Sequence, residues 1–191
     1  MTKRLPRVYL AGPEVFFPES VRASLDERKK RILGDVGLEG VSPFDNALDL
    51  AGAREPAQLI YDANRELMDK ADGLIANLTP FRGPSADAGT IYELGYMIGR
   101  DKPTVGFSVC ATPYNERVSR HSTVCANGAD IEAFGLADNL MLDYGLVRAG
   151  GKFFTGATAY PPGGFPPEAY FEEPVFVAAA RYLAQLLREH P

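Results

Sequence analysis

Two acidic residues, Asp87 and Glu93, lie in a stretch of sequence whose composition suits chemistry on a small substrate. Glu93 belongs to a predicted apolar helix with glycines at positions 89 and 95, and small residues let a backbone approach a ligand closely. A carboxylate in that setting is a candidate nucleophile, although an exposed helix glutamate is the more common occurrence. Asp87 precedes the helix and suits the N-cap, and the sequence leaves open whether it also binds a ligand.

Other reactive motifs are absent or weak. Gly12 does not continue into the glycine-rich fingerprint of dinucleotide-binding folds, and the chain has neither a GxxxxGK[ST] phosphate loop nor a GxSxG elbow. The spacing of Cys110, His121 and Cys125 matches no zinc site, so neither a metal nor another cofactor is predicted. Arg82 lies in a glycine-containing turn, where either an anion or solvent would face it.

Short apolar runs alternate with longer amphipathic stretches around these residues. Strands are predicted at residues 7–12, 37–43, 72–79 and 103–109, and helices at residues 20–33, 56–70, 88–100 and 173–188. This alternation predicts an α/β fold with a doubly wound, flavodoxin-like parallel sheet and helices on both faces, in a single domain over residues 1–191. Lys29 is expected on the solvated side of the first helix. Residues 111–130 are predicted to form a long loop, and residues 150–170 an irregular packed segment.

The predicted sheet brings three stretches of sequence to one edge. Residues 9–16, 43–46 and 78–96 each lie at or beyond the end of a strand. Ligands of open α/β sheets bind at the carboxyl ends of the strands. We therefore expect Asp87 and Glu93 to face the residues that follow the first two strands.

The composition limits the classes of partner. With 20 Lys and Arg against 25 Asp and Glu, the formal net charge is −5, which disfavours a nucleic-acid duplex because duplex binding needs a basic surface. No apolar run reaches the roughly 18 residues of a membrane-spanning helix, and no secretory leader is predicted. Two cysteines without a CxxC motif favour a cytoplasmic protein.

Three stretches of the chain resemble the nucleoside 2-deoxyribosyltransferase family. They are residues 8–16 (VYLAGPEVF), residues 78–96 and residues 134–142 (FGLADNLML). The second stretch contains the pattern Asp-x-Gly-x-x-x-Glu-x-Gly, from Asp87 to Gly95. The three stretches occur in the family's order and extend over roughly the first three-quarters of the chain.

The resemblance implies roles for the residues around the sugar. Glu93 would attack the anomeric carbon of a 2′-deoxyribonucleoside, and Tyr9 would hold its carboxylate by a hydrogen bond. Asp87 would bind the sugar 5′-hydroxyl. Asn139 would reach the same hydroxyl from a neighbouring subunit, with Met141 close by. The resemblance thus implies a homo-oligomer whose active sites are shared between subunits.

The resemblance also implies a base site. Phe16, Asp45 and Asn46 would line it, and Gly12 would lie against the substrate. Some relatives carry an aspartate at the position of Asn64. An amide hydrogen-bonds a base edge but cannot act as a general acid, so the leaving base would take its proton from solvent, from Asp45 or through its own tautomer.

The implied activity is exchange of the nucleobase of 2′-deoxyribonucleosides through a covalent deoxyribosyl–Glu93 intermediate, with retention and for nucleotide salvage. The substrates would be 2′-deoxyribonucleosides and free nucleobases, and no cofactor is needed because the nucleophile is a side chain. One alternative is hydrolysis of 2′-deoxynucleoside 5′-monophosphates, which Asp87 disfavours because it would repel a phosphate dianion. Another is a non-catalytic nucleoside-binding module on the same fold.

Overall fold

The sheet of this protein has five parallel strands. The computed structural model describes residues 4–49, 51, 53–121 and 128–189. The strands are β1 Arg7–Ala11, β2 Glu39–Val41, β3 Gly73–Asn77, β4 Thr104–Cys110 and β5 Phe153–Thr158. Their order in the sheet is β2-β1-β3-β4-β5, with every pairing parallel. This is the flavodoxin-like order, and it confirms the predicted fold class.

Helices cover both faces of the sheet. They are α1 Glu19–Asp35, α2 Pro56–Lys70, α3 Ala88–Ile98, α4 Tyr114–Arg120, α5 Leu140–Arg148 and α6 Glu173–Glu189. Helices α1 and α6 pack on one face, while α2, α3 and α5 pack on the other. In the part of the chain that the structure describes, no helix combines the length and apolarity needed to cross a membrane.

The alternation of side chains along β1 decides which residue meets the predicted nucleophile. Val8 and Leu10 belong to the core beneath α1 and α6, whereas Tyr9 and Ala11 belong to the core beneath α2, α3 and α5. Successive side chains of a strand point to opposite faces. Tyr9 therefore points toward α3, which carries Glu93.

Two segments differ from the sequence prediction. The predicted loop at residues 111–130 begins with helix α4, and the predicted irregular segment at residues 150–170 contains strand β5. Strand β5 has the sequence FFTGAT, is only partly buried and lies at the edge of the sheet. It therefore lacks the continuous apolar run that marks a buried parallel strand.

Two of the three side chains considered for a metal site, Cys110 and His121, belong to the described residues. Cys110 is buried in β4, with its sulfur 3.7 Å from the carbonyl oxygen of Thr112. His121 follows the end of α4. Cys125 lies outside the described residues.

Candidate active site

The candidate active site is a cleft of about 1090 Å³ at the carboxyl edge of the sheet. Its walls come from α1, from the segments after β1 and β2, and from α2 and the first turns of α3. Six of the residues expected at the site line it: Gly12, Phe16, Asn46, Asn64, Asp87 and Glu93. The prediction that these stretches meet at one edge is therefore confirmed.

Glu93 is tied to the centre of the sheet by one short hydrogen bond. The hydroxyl of Tyr9 donates to Glu93 Oε1 at 2.7 Å. Tyr9 is fully buried, and Glu93 is partly buried with its carboxyl group facing the cleft. The bond fixes one carboxylate oxygen and leaves the other available to a ligand in the cleft.

The surroundings of Glu93 favour its protonated form. The pKa of Glu93 is raised to about 7, chiefly by burial and also by the negative charges of Asp87 and Glu14, while the hydrogen bond from Tyr9 acts in the opposite direction. At pH 7 about half of the molecules would carry the carboxylate. Burial, and then the charge of Glu93, raise the pKa of Tyr9, so its hydroxyl remains a donor. A carboxyl group poised near neutral pH is typical of catalytic sites.

Asp87 both caps a helix and faces the cleft. It is the N-cap of α3, where its Oδ2 accepts hydrogen bonds from the backbone N–H of Thr90 at 3.0 Å and from the Thr90 hydroxyl at 3.1 Å. It also lines the cleft. Within the described residues its Oδ1 accepts no hydrogen bond, so this oxygen is free to receive one from a ligand.

Phe16 forms an aromatic wall at the outer end of the cleft. Its ring stacks on Phe81 with 5.4 Å between centroids and an angle of 14° between planes. The guanidinium of Arg82 lies 4.5 Å from the Phe16 centroid and 4.6 Å from the Phe81 centroid. About half of Phe16 is exposed (52%). Arg82 thus covers aromatic rings, an arrangement that was not anticipated from its position in a turn.

The segment at residues 150–170 supports this aromatic wall from behind. The Tyr170 hydroxyl donates to the carbonyl oxygen of Pro80 at 2.8 Å, and the Tyr160 hydroxyl donates to that of Gly83 at 3.1 Å. Both acceptors flank the turn that carries Phe81. The segment therefore fixes the conformation of the loop after β3.

Two amides meet on the wall opposite α3. Asn46 Nδ2 donates to Asn64 Oδ1 at 3.1 Å. This bond leaves the Asn64 amino group and the Asn46 carbonyl oxygen as a donor and an acceptor for a ligand. Neighbouring Asp45 was expected in the base site, but it does not line the cleft. Its carboxylate accepts hydrogen bonds from Lys30 Nζ at 2.6 Å and from the backbone N–H of Ser42 at 2.9 Å, because it closes a capping box.

Asn139 and Met141 do not meet Glu93 within one chain. Asn139 is the N-cap of α5; its Oδ1 accepts from the N–H of Met141 at 3.0 Å, and its Nδ2 donates to Glu132 at 2.6 Å. Neither residue lines the cleft. Met141 is 72% exposed on the surface.

Sequence reasoning missed two buried ion pairs near the site. Lys29, expected in solvent, is buried and pairs with Glu14, which also accepts a hydrogen bond from Asn77 Nδ2 at 2.7 Å. Arg117 and Asp138 form the second pair. The partners are far apart in sequence, and no periodic pattern connects such positions.

Comparisons with known proteins agree with this architecture. The family model described as nucleoside 2-deoxyribosyltransferase matches residues 8–141. An uncharacterized protein of Schizosaccharomyces pombe is 34% identical over 173 residues, which cover 78% of this chain and 81% of the relative. The solved structure of a 2-deoxyribosyltransferase from Leishmania mexicana is 31% identical, with a TM-score of 0.61 over 72% of this chain and 85% of that one.

A conserved protein from Enterococcus faecalis shares the fold. Its structure has a TM-score of 0.52 and 22% identity, over 80% of this chain and 92% of that one. The family model covers well over half of the chain and includes the Tyr9–Glu93 pair. The protein therefore belongs to the nucleoside 2-deoxyribosyltransferase family.

Proposed function

We propose that this protein exchanges the nucleobase of 2′-deoxyribonucleosides, with Glu93 as the nucleophile. The observation that carries the proposal is the buried Tyr9 hydroxyl 2.7 Å from a carboxylate oxygen of Glu93 at the wall of the cleft. A nucleophile needs a fixed direction of attack, and this bond provides it. The natural context would be nucleoside salvage in the cytoplasm.

The first step forms a covalent intermediate. The Glu93 carboxylate attacks C1′ as the bond from C1′ to the base nitrogen breaks, and the base leaves with the bonding electrons. The transition state resembles an oxocarbenium ion, which the carboxylate of Glu93 stabilises. The leaving base then takes a proton, for which Asn64 offers only a hydrogen bond. Because Asp45 is held by Lys30 and Ser42 outside the cleft, we favour water as the proton source.

The second step returns the sugar to a nucleobase. A nitrogen of the incoming base attacks C1′ and displaces the Glu93 carboxylate, and the N–H proton of that base passes to solvent, which supplied the proton of the leaving base. Two inversions give net retention. The ring of Phe16, stacked on Phe81, would cover one side of the base and restrict access of water, which would otherwise hydrolyse the ester.

The substrate's 5′ end would lie at Asp87. Its uncommitted Oδ1 suits a neutral hydroxyl, because a hydroxyl donates to a carboxylate whereas a phosphate dianion would be repelled. This favours deoxyribonucleosides over their 5′-monophosphates as substrates.

A homo-oligomer would complete the site. Asn139 and Met141 lie outside the cleft of their own chain, and exposed apolar side chains cover neighbouring faces of α2, α3 and α5: Tyr61, Tyr92, Met141, Tyr144 and Val147. Exposed apolar patches of this kind mark interaction surfaces. In a closed dimer the patch of one copy would bring Asn139 to the site of the other.

The assay that tests the activity supplies either a 2′-deoxyribonucleoside with a different free base, or a 2′-deoxyribonucleoside 5′-monophosphate alone. We expect a new nucleoside only in the first mixture. Release of free base from the monophosphate would support the hydrolase instead. Tight nucleoside binding with neither reaction would support a binding module. Mass spectrometry of the enzyme with substrate should show one deoxyribosyl group on Glu93.

Mixing two inactive variants tests the shared site. Glu93→Ala and Asn139→Ala should each be inactive or strongly impaired as pure proteins. Co-refolded mixtures should regain activity, because one site of a mixed dimer then has an intact Glu93 and an intact partner Asn139. Full activity of a monomeric wild type would contradict the shared site.

A further inference from the structure

One buried ion pair joins the two segments that carry the proposed sugar-binding residues. Arg117 on α4 and Asp138, just before α5, have side-chain exposures of 1% and 0%, and the two groups lie 3.2 Å apart. Neither residue lines the cleft. Their contacts nevertheless lead directly to Asp87 and to Asn139.

The carboxylate of Asp138 holds both segments at once. Its Oδ1 accepts from the Ser85 hydroxyl at 2.6 Å and from the backbone N–H of Asn139 at 2.8 Å. Its Oδ2 accepts from the backbone N–H of Ala86 at 3.1 Å and from the guanidinium of Arg117. Ser85 and Ala86 immediately precede Asp87, the N-cap of α3. The carboxylate of Asp138 therefore holds the backbone next to Asp87 in place.

The guanidinium of Arg117 anchors the same two segments through their backbones. It donates to the carbonyl oxygen of Pro84 at 2.6 Å on one side and to that of Ala137 at 2.8 Å on the other. A further donor reaches the carbonyl oxygen of Thr112 at 2.5 Å. Arginine suits this position because its planar fork of donors fixes several acceptors in one geometry.

We propose that the Arg117–Asp138 pair is a positioning device for recognition of the sugar 5′-hydroxyl, setting Asp87 and Asn139 together. The inference rests on the proposed function. In an oligomer with shared sites, Asp87 would bind the substrate of its own chain and Asn139 the substrate of the neighbouring chain. One Arg117–Asp138 pair would therefore position residues of two active sites. The pair touches no substrate and acts only through these two residues.

A substrate without the 5′-hydroxyl separates positioning from a merely structural role. Wild type should process a 2′-deoxyribonucleoside faster than the matching 2′,5′-dideoxyribonucleoside, because only the former has the group that Asp87 and Asn139 bind. Asp138→Asn keeps the side-chain volume but puts a donor where an acceptor is needed. Its kcat/KM for the 2′-deoxyribonucleoside should fall roughly 10- to 100-fold, the cost of a small misplacement. Its kcat/KM for the 5′-deoxy substrate should stay within about twofold of wild type, because that reaction does not use the hydroxyl contacts.

Two further variants keep the test decisive. Ser85→Ala removes a single bond to Asp138 and should show the same substrate-dependent loss to a smaller degree, even if Asp138→Asn does not fold. Leu183→Ala in the core beneath α6, on the opposite face of the sheet, is the control for general destabilisation. It should lower thermal stability without changing the ratio of kcat/KM between the two substrates.

The possible results distinguish this inference from the proposed function. Base exchange by wild type on neither substrate would overturn both. Equal losses of Asp138→Asn and Ser85→Ala on both substrates, in an active wild type, would overturn the positioning role alone. A wild type that does not distinguish the two substrates would overturn it as well, because there would be no hydroxyl recognition to position.

Discussion

Glu93 and Asp138 are both carboxylates withdrawn from solvent, and they differ in what opposes the cost of burial. Burial raises the pKa of each. Around Asp138 the Ser85 hydroxyl, two backbone N–H groups and the Arg117 guanidinium act in the opposite direction. Among the described residues, only the Tyr9 hydroxyl does so around Glu93, while nearby negative charges add to the effect of burial.

This difference separates a reactive carboxylate from a structural one. A buried charge with a full set of partners is stable in place and has no lone pair to offer a substrate. A buried charge with one partner is costly to keep, and a ligand that develops positive charge relieves that cost. Burial of an acidic residue therefore does not by itself indicate function. A buried carboxylate that lacks a full set of hydrogen-bond donors does.

The largest effect should come from removing Glu93, the buried carboxylate with fewer hydrogen-bond donors around it. Glu93→Ala should lower base exchange by on the order of 10⁴-fold or more, because no other group forms the covalent intermediate. Chromatography of the base-exchange products measures this loss. Glu66→Ala on α2, an exposed helix glutamate paired with Lys70, should retain wild-type activity and serves as the control. Turnover of Glu93→Ala near the wild-type rate would refute the nucleophile.

Removing Asp138, the buried carboxylate with several hydrogen-bond donors, should instead lower the free energy of unfolding. Asp138→Ala leaves the buried Arg117 charge without its partner, which typically costs about 3 to 5 kcal/mol of unfolding free energy. Urea unfolding followed by circular dichroism measures this change. Arg28→Ala breaks an exposed pair with Glu173 and should cost less than about 1 kcal/mol. Similar small effects for both variants would show that the buried cluster is not a stabilising unit.

The sequence predicted the surroundings of Glu93 better than those of Asp138. The Tyr9–Glu93 contact was expected and is present, because β1 alternates and α3 follows β3 at the same edge; its catalytic role stays a prediction. Asp45 was expected in the base site, whereas a capping box and Lys30 hold its carboxylate away from the residues that line the cleft. Local hydrogen bonding of this kind is not encoded in a family motif.

The Arg117–Asp138 cluster could not be predicted from the sequence. Its members join the loop before α3, helix α4 and the segment before α5, and only the packed fold brings these together. Helix α4 itself was predicted as loop, since a seven-residue polar helix with a buried arginine shows no amphipathic pattern. Periodicity identifies side chains that face a core, and it does not identify buried charges.

Neutralising Glu93 should stabilise the protein in a pH-dependent way. The folded-state pKa of Glu93 is raised to about 7 from an ordinary 4.5, so the folded state binds the proton more tightly than the unfolded state. Wild-type stability should therefore fall as pH rises from about 4.5 to above 7. Glu93→Gln lacks this loss and should be more stable than wild type by on the order of 2 to 3 kcal/mol at pH 8.

The difference between Glu93→Gln and wild type should shrink toward zero near pH 4, where both carry a neutral group. Unfolding curves at pH 4, 6 and 8 measure it. Glu66→Gln, with its carboxylate in solvent, should follow wild type at every pH. A difference in unfolding free energy that stayed constant across this range would mean that the gain comes from packing. The pKa of Glu93 in the folded state would then be that of an ordinary surface acid.

The smallest effect should follow loss of the hydrogen bond that Glu93 receives from Tyr9. Tyr9→Phe removes the hydroxyl that lowers the pKa of Glu93, so this pKa should rise and less carboxylate should be present at pH 7. Activity of wild type should increase with pH and level off above about 7, and the rise in Tyr9→Phe should occur at higher pH. At pH 7 the variant should be slower by roughly 10-fold, the size of one hydrogen bond to a charged group, and the gap should narrow at alkaline pH. The full pH profile of kcat/KM separates ionisation from orientation, because a loss that stayed constant at every pH would mean that Tyr9 only aims the carboxylate and leaves its proton affinity unchanged.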